Sequence, residues 1–292
     1  MASSATVLAA GGGEGEHVAH AAHDHLPAHA EEIVRIFGLP ITNSMLMLWI
    51  VVGIVVFIAR AATKKMEMIP QGFQNGVEWV VESLYNFLEE ILGSDLVKKT
   101  FWFFGGIFLI ILITNWAGLF PGVGTIGLAL TGENVDPHDR FRPFLRGGNA
   151  DLNMTLAMSL TFAVLWFYWA IKENGVKGFF AHIFAPKGKF GGAMFIAMVV
   201  IFGMVGLIEV ASILLRPVAL SFRLYGNVYA GETMLESMIA MPHWSVSWLV
   251  PLPFYFLELL VGLIQALVFT LLTAVFLRLI CEHDHDHDEA HH

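Results

Sequence analysis

Arg216-Pro-Val-Ala-Leu-Ser-Phe-Arg-Leu-Tyr-Gly-Asn-Val-Tyr-Ala-Gly-Glu232 decides how the chain is read. The stretch is embedded in apolar sequence, yet it carries two arginines, an asparagine and a glutamate. Between Phe190 and Ile280 the charges are Glu209, Arg216, Arg223, Glu232, Glu236, Glu258 and Arg278 alone. An arginine at mid-bilayer costs roughly 3 kcal/mol on insertion scales and about 10 or more on an isolated helix in simulation. A guanidinium does not escape that cost by shedding its proton. Arg223 therefore reads as a site on an ion or proton path, with a carboxylate as its partner.

The surrounding composition agrees. Of 292 residues, 56% are hydrophobic and 14% charged, against about 25% charged in soluble domains. Mean hydropathy is +0.66. Several apolar runs approach the roughly 20 residues that span a bilayer as a helix. They are continuously apolar, unlike the alternating strands of a barrel. The expected fold is an all-α integral membrane protein with about five crossings, a surface amphipathic helix and two long tilted C-terminal helices in a hairpin. A single cysteine, Cys281, excludes an internal disulfide framework. The net charge of −9 sits mostly in tails and loops and excludes a nucleic-acid partner. No phosphate-binding loop is present, so no nucleotide is expected on this chain.

Along the chain, residues 1–42 read as a polar, His-rich tail, with no basic start and apolar core of the secretory kind. Residues 43–280 form one membrane domain, with 190–280 as its ion-path hairpin, and 281–292 are a His/Asp-rich tail. Metal capture by the tail histidines is an unspecific signal, and no metal or cofactor is assigned. The first span is expected at 43–59. Residues 70–99 follow with Val77, Val80, Val81, Leu84, Phe87, Leu88, Ile91 and Leu92 at helical spacing and Glu78, Glu82, Glu89 and Glu90 on the other face. That acidic amphipathic helix suits a protein partner better than a lipid surface. Further spans are expected at 101–120 and 152–171, with a polar loop over 122–150. Residues 191–240 exceed one straight crossing and must be tilted, broken or folded back, with Pro217 able to kink them. The last helix is expected at 254–279. Arg60, Lys64, Lys65, Lys98, Lys99, Lys172, Lys177, Lys187, Lys189 and Arg278 fall on one side of five crossings. The N-terminus should then be outside and the C-terminus cytoplasmic.

Polar groups lie at successive depths. Arg223 and Asn227 share a helix face. Glu209 precedes Arg223 by about 21 Å of helix on nearly the same face, and Glu232 follows it by about 13 Å on the opposite one. Glu258 and Gln265 share a face of the last helix. Carboxylates can take and release protons, and a permanent cation can block a direct leak. The competing readings are a structural anchor, in which these groups only pair to fix helix packing, and a secondary ion-coupled transporter that binds an anion at Arg223.

Phe222-Arg-Leu-Tyr-Gly-Asn-Val-Tyr-Ala-Gly-Glu232 closely resembles the signature of subunit a of bacterial F-type ATP synthases. The resemblance runs from about Asn43 to Leu279. It takes in Asn115-Trp-Ala-Gly-Leu-Phe-Pro121, Ala150-Asp-Leu-Asn-Met-Thr155, Glu209 with Ser212, Arg216-Pro217 and Leu263-Ile-Gln-Ala-Leu267. It implies a proton-translocating stator in the bacterial plasma (inner) membrane, against which a ring of c subunits turns, with no catalytic site of its own. Two offset half-channels would reach the ring. Arg223 would lie between them, releasing protons from ring carboxylates and preventing leak. Asn227 and Gln265 would neighbour it. Glu232 and Glu258 would line the outer half-channel, with Asn115 and either Asn149 or Asn153. Glu209 and Ser212 would lie on the cytoplasmic side, and the 75–97 helix would meet the peripheral stalk b subunits. The chain departs from many relatives in having glutamate at both 232 and 258, where one is often histidine. It also has Gly118 where some have an acid, and Arg216 where lysine is frequent.

Overall fold

The computed structural model describes residues 30, 32–36, 38–64, 66, 72–124, 126–129, 141–184, 193–239 and 249–281. The His-rich segments 1–29 and 282–292, with their metal reading, lie outside the described residues. So do the acidic part of the 122–150 loop and Lys187 and Lys189.

Among the described residues six helices carry the fold. Helix α1 (Asn43–Thr63) starts where the Thr42 hydroxyl accepts the Met45 N–H at 3.3 Å, which caps one orphan donor of its first turn. It is apolar all round, and Trp49, Ile50 and Phe57 face outward, as on a helix bathed in lipid. Helix α2 (Phe73–Leu92) is the amphipathic one. Leu84, Leu88 and Leu92, four apart, are its buried stripe. It was expected to run to Lys99, but Gly93, at φ 80°, ends it and donates its N–H to Glu89 at 2.8 Å. A positive φ is cheap only for glycine. The chain turns there and Ser94–Lys99 become the first turns of α3 (Ser94–Gly118). Helix α4 (Leu152–Phe184) is broken at Gly175, φ 68°. Helix α5 (Ala193–Ile239) settles the three alternatives left open for this stretch. It is one 47-residue helix that continues through Pro217. Helix α6 (Pro251–Cys281) is likewise unbroken.

Five of these helices, α2 excepted, are long and apolar enough to cross a membrane. The chain is an all-α integral membrane protein. Helix α6 is central: α3, α4, α5 and α2 all pack on it, α4 lies along α5, and α1 lies on α3. The core contains Phe104, Phe269, Ile111 and Leu277, all fully buried. Trp169 meets the Phe103 and Phe104 rings at centroid distances of 5.7 and 6.1 Å. In a bilayer such packing, rather than exclusion of water, drives helix association. Phe104→Ala should therefore destabilise the isolated subunit by about 3 kcal/mol, the low end for a buried aromatic. Thermal unfolding in detergent would measure this. An unchanged midpoint would mean the ring is not part of a close-packed core.

The two ends of the bundle differ. At one, the basic end, Lys99 Nζ meets Glu173 Oε1 at 2.7 Å, Asn174 donates to the Ile280 carbonyl at 2.7 Å, and Arg278 donates to the Ile91 carbonyl at 2.8 Å. The last contact places a cation on the C-terminal turn of α2, where the helix dipole favours it. At the other, the hairpin end, residues expected only as tail and loop form two small antiparallel pairs. They are β1 (Glu32–Ile36) with β2 (Leu39–Thr42), and β4 (Gly127–Ala129) with β5 (Phe141–Pro143). A short strand β3 (Pro121–Gly124) precedes the second pair. The Asn43 amide donates to the Pro143 carbonyl at 3.3 Å and joins the two pairs.

Candidate functional site

Helix α5 is continuous, so its polar residues occupy a helical ladder at about 1.5 Å per residue. Near the basic end, Arg216 Nη2 meets Glu209 Oε1 at 2.9 Å, and the guanidinium stands 4.5 Å from the centroid of Phe276 on α6. Glu209, expected with Ser212 on the cytoplasmic side, is thus paired with Arg216. The carboxylate is about half exposed, 47%, and a pair so open to its surroundings contributes little to stability. Ser212 lies between them, half-buried.

Two turns further on, Arg223 and Asn227 are both exposed on the outer face of α5. Among the described residues Arg223 makes no hydrogen bond or ion pair. Around it the same face carries Ala219, Gly226 and Ala230, also exposed. Small residues of this kind let a neighbouring helix come close. Asn227 Nδ2 donates to Gln265 Oε1 on α6 at 2.6 Å. Gln265 is buried, and its Nε2 has no hydrogen-bond partner among the described residues.

Glu232 lies on the inner side of α5, as its nine-residue offset from Arg223 requires. One carboxylate oxygen packs against Gly147, and a methyl on Gly118 would stand 3.7 Å from it. The other oxygen is buried without a hydrogen-bond partner among the described residues. A buried carboxylate oxygen in that state calls for a proton or water. Glu258, on α6, is buried, and its carboxylate fills the space a side chain would need at Gly231. Two glycines thus seat the two carboxylates on neighbouring elements, and Glu258 meets α5 one residue before Glu232. Beside Glu232 a cleft of about 410 Å³ is lined by Glu236, Tyr255, Arg146, Gly118 and Gly147 among others.

Asn115 sits near the end of α3, 7% exposed. Its Nδ2 donates to the Gly262 carbonyl at 3.1 Å, and its Oδ1 accepts from Asn149 at 2.6 Å. Asn149 also donates to the Ile111 carbonyl at 3.3 Å. The structure brings Asn149 to Asn115. Asn153 is the second residue of α4, exposed, with its backbone N–H on Asp151 Oδ1 at 3.0 Å, and it does not join the cluster.

From the sequence alone Arg146 is assigned no role. It is 2% exposed and lines the cleft with Glu232. Its signal was the run Leu145-Arg-Gly-Gly-Asn149, an arginine directly before two glycines and a span. Trp116 was also passed over, because an aromatic at a span end normally reads as an interface anchor. Among the described residues no group of three or more His, Cys, Asp or Glu converges as a metal site.

The chain resembles several curated proteins named ATP synthase subunit a. It is 29% identical to the one from Aliarcobacter butzleri over 80% of this chain and 88% of that protein. It is 29% identical to the one from Gloeobacter violaceus over 85% and 86%, and 28% identical to the one from Campylobacter fetus over 80% and 88%. Residues 45–278, which hold every group described above from Glu209 to Gln265, match the family model described as ATP synthase A chain; the chain belongs to that family.

Proposed function

We propose that this chain is the stationary half of a rotary proton motor: its α5–α6 pair faces a ring of c subunits and delivers protons to it by two offset routes. Its family places it in proton transport within the membrane sector of ATP synthase. The observation that carries the finer reading is Arg223. A permanent cation is displayed on a membrane-crossing helix, with no partner among the described residues and small residues around it. Such a charge needs a counter-charge, and a carboxylate on the ring supplies it. Each passing carboxylate gives up its proton as it meets the guanidinium. The same cation repels a proton that would cross directly between the routes.

One route runs from the hairpin end through the 410 Å³ cleft to Glu232 and Glu258, then to the ring beside Asn227 and Gln265, with Asn115 and Asn149 on its flank. The other leaves past Ser212 and Glu209 at the basic end. The hairpin end is then outside and the basic end cytoplasmic, in the bacterial plasma membrane, and α2 offers its acidic face to the b subunits of the stalk. With cysteines introduced on the outer face of the ring and an added oxidant, cysteines at Ala219, Gly226 and Ala230 should form disulfides with ring subunits in the assembled complex, whereas one at Phe57 on α1 should not. Cross-linking confined to α1 would overturn the assignment of α5 to the ring.

The glycine seats give a further expectation. In Gly231→Ala the added methyl displaces the Glu258 carboxylate. Misplacing a group in a reacting constellation slows it, so ATP-driven acidification of inverted vesicles should fall severalfold, by no more than Glu258→Gln lowers it. Wild-type rates would mean that Glu258 does not act from this position.

A further inference from the structure

We propose that Asn115 and Trp116 form a hydrogen-bonded clip that sets the register of α6 against α3 and so positions Glu258 and Gln265. The clip rests on the proton-path reading of those two residues, but its own geometry is independent of it. Two adjacent residues of α3 donate to two carbonyls of α6. Asn115 Nδ2 reaches Gly262 at 3.1 Å and Trp116 Nε1 reaches Leu259 at 3.0 Å. These carbonyls lie between the path residues, one position after Glu258 and three before Gln265. The contact is closest where α6 has glycine. A methyl at Gly262 would stand 3.1 Å from Asn115 Cβ and 3.5 Å from Trp116 Cδ1. Asn149 fixes the Asn115 amide from behind at 2.6 Å, so the oxygen is occupied and an N–H is aimed at α6. Asn115 thereby acts through α6 rather than on the ion.

Helix α6 needs such a device. Its sequence is Leu-, Val- and Phe-rich on every side, and lipid is as apolar as its neighbours, so apolar packing alone sets its register weakly. Slipping by one turn, about 5.4 Å, would take Glu258 from Gly231 and Gln265 from Asn227. The same solution recurs further along. Trp166 of α4 donates to the Phe276 carbonyl at 3.1 Å, and Asn174 donates to that of Ile280 at 2.7 Å. Side-chain donors from α3 and α4 hold α6 by its backbone, as a fixed rail beside α5.

The test uses the assembled complex in liposomes, with Trp116→Phe and Asn115→Asp made separately. Trp116→Phe keeps the ring and loses the donor. Asn115→Asp keeps the shape and replaces the donor with an acceptor facing a carbonyl. Two readouts are taken: ATP-driven proton pumping, and the distance between spin labels at Leu252→Cys on α6 and Trp102→Cys on α3, in a Cys281→Ser background. Each variant should shift or broaden the distance distribution and lower pumping by about tenfold or more. Asn115→Asp pumping at the parent rate would overturn the clip. So would lost pumping with an unchanged distance, because Asn115 would then act on the ion itself. If Asn115→Asp does not assemble, Trp116→Phe alone decides. Normal pumping by Glu232→Gln and Glu258→Gln would overturn the path reading, but the label distances would still report the clip.

Discussion

Arg223→Ala should abolish coupled proton flow while leaving the complex assembled. ATP-driven acidification of inverted vesicles and ATP synthesis on an imposed gradient should both fall by at least about 100-fold, the scale on which a charge-stabilising group acts. Assembly should survive because of where the residue sits. Removing one partner of a buried pair strands the other charge and destabilises strongly, but Arg223 has no such partner among the described residues. Its neighbours Ala219, Gly226 and Ala230 already form a small-residue face, which one more alanine extends. Two losses should appear together. Ring carboxylates no longer meet a cation that draws out their proton, so turnover stops. The barrier between the routes also falls, so passive proton permeability should rise. Arg223→Lys should restore only part of the activity, because an ammonium is a hydrated point charge on a flexible stem and a guanidinium is a planar fork. Normal ATP synthesis by Arg223→Ala would sink the stator mechanism. Lost activity accompanied by lost ring subunits would show a packing role instead.

The sequence disclosed most of this site because expensive residues are easy to see in cheap surroundings. Arg223, Glu232, Glu258 and Gln265 are legible since few charges or amides interrupt the apolar runs, and helical spacing then assigns each a face and a depth. The offset of Glu232 is an example. Nine residues put it opposite Arg223, and its carboxylate does lie inward, against Gly147. Partners from other elements were less legible. The pairing of Glu209 with Arg216 depends on rotamers, since seven residues are about 10.5 Å of helix and only two long side chains leaning toward each other close that gap. Asn149 and Asn153 stand equally near the start of a span, and only the path of residues 146–151 sends the first inward and leaves the second exposed. The end of α2 was misplaced because apolar periodicity continues past Gly93, and the break comes from one backbone angle. The β-pairs at the hairpin end are too short and too polar for alternation to mark them. Arg146 was hidden for the opposite reason from Arg223, since in a polar loop an arginine looks ordinary until the fold buries it.

Replacing Glu232 and Glu258 together by glutamine should stop proton delivery from the hairpin end and leave the opposite route open. Glutamine matches glutamate in shape and still offers hydrogen bonds, so the seats at Gly147 and Gly231 should remain filled and the bundle intact. What it cannot do is take up a proton and pass it on. A positioned acid or base contributes about 100- to 10,000-fold to a proton transfer, and coupled pumping should drop by at least the lower figure. The single variants should differ from the double. The Glu258 carboxylate lies against Gly231 of α5, one residue before Glu232, and the cleft next to Glu232 is wide enough for water. Either carboxylate with water can therefore bridge the gap, and each single change should cost less than the square root of the double effect. That is the pattern of two groups sharing one task. Purely multiplicative single effects would mean two independent steps in series. Pumping at the parent rate in the double variant, with ring and stalk in place, would remove both carboxylates from the path and leave the cleft beside Glu232 without a role in access to the ring.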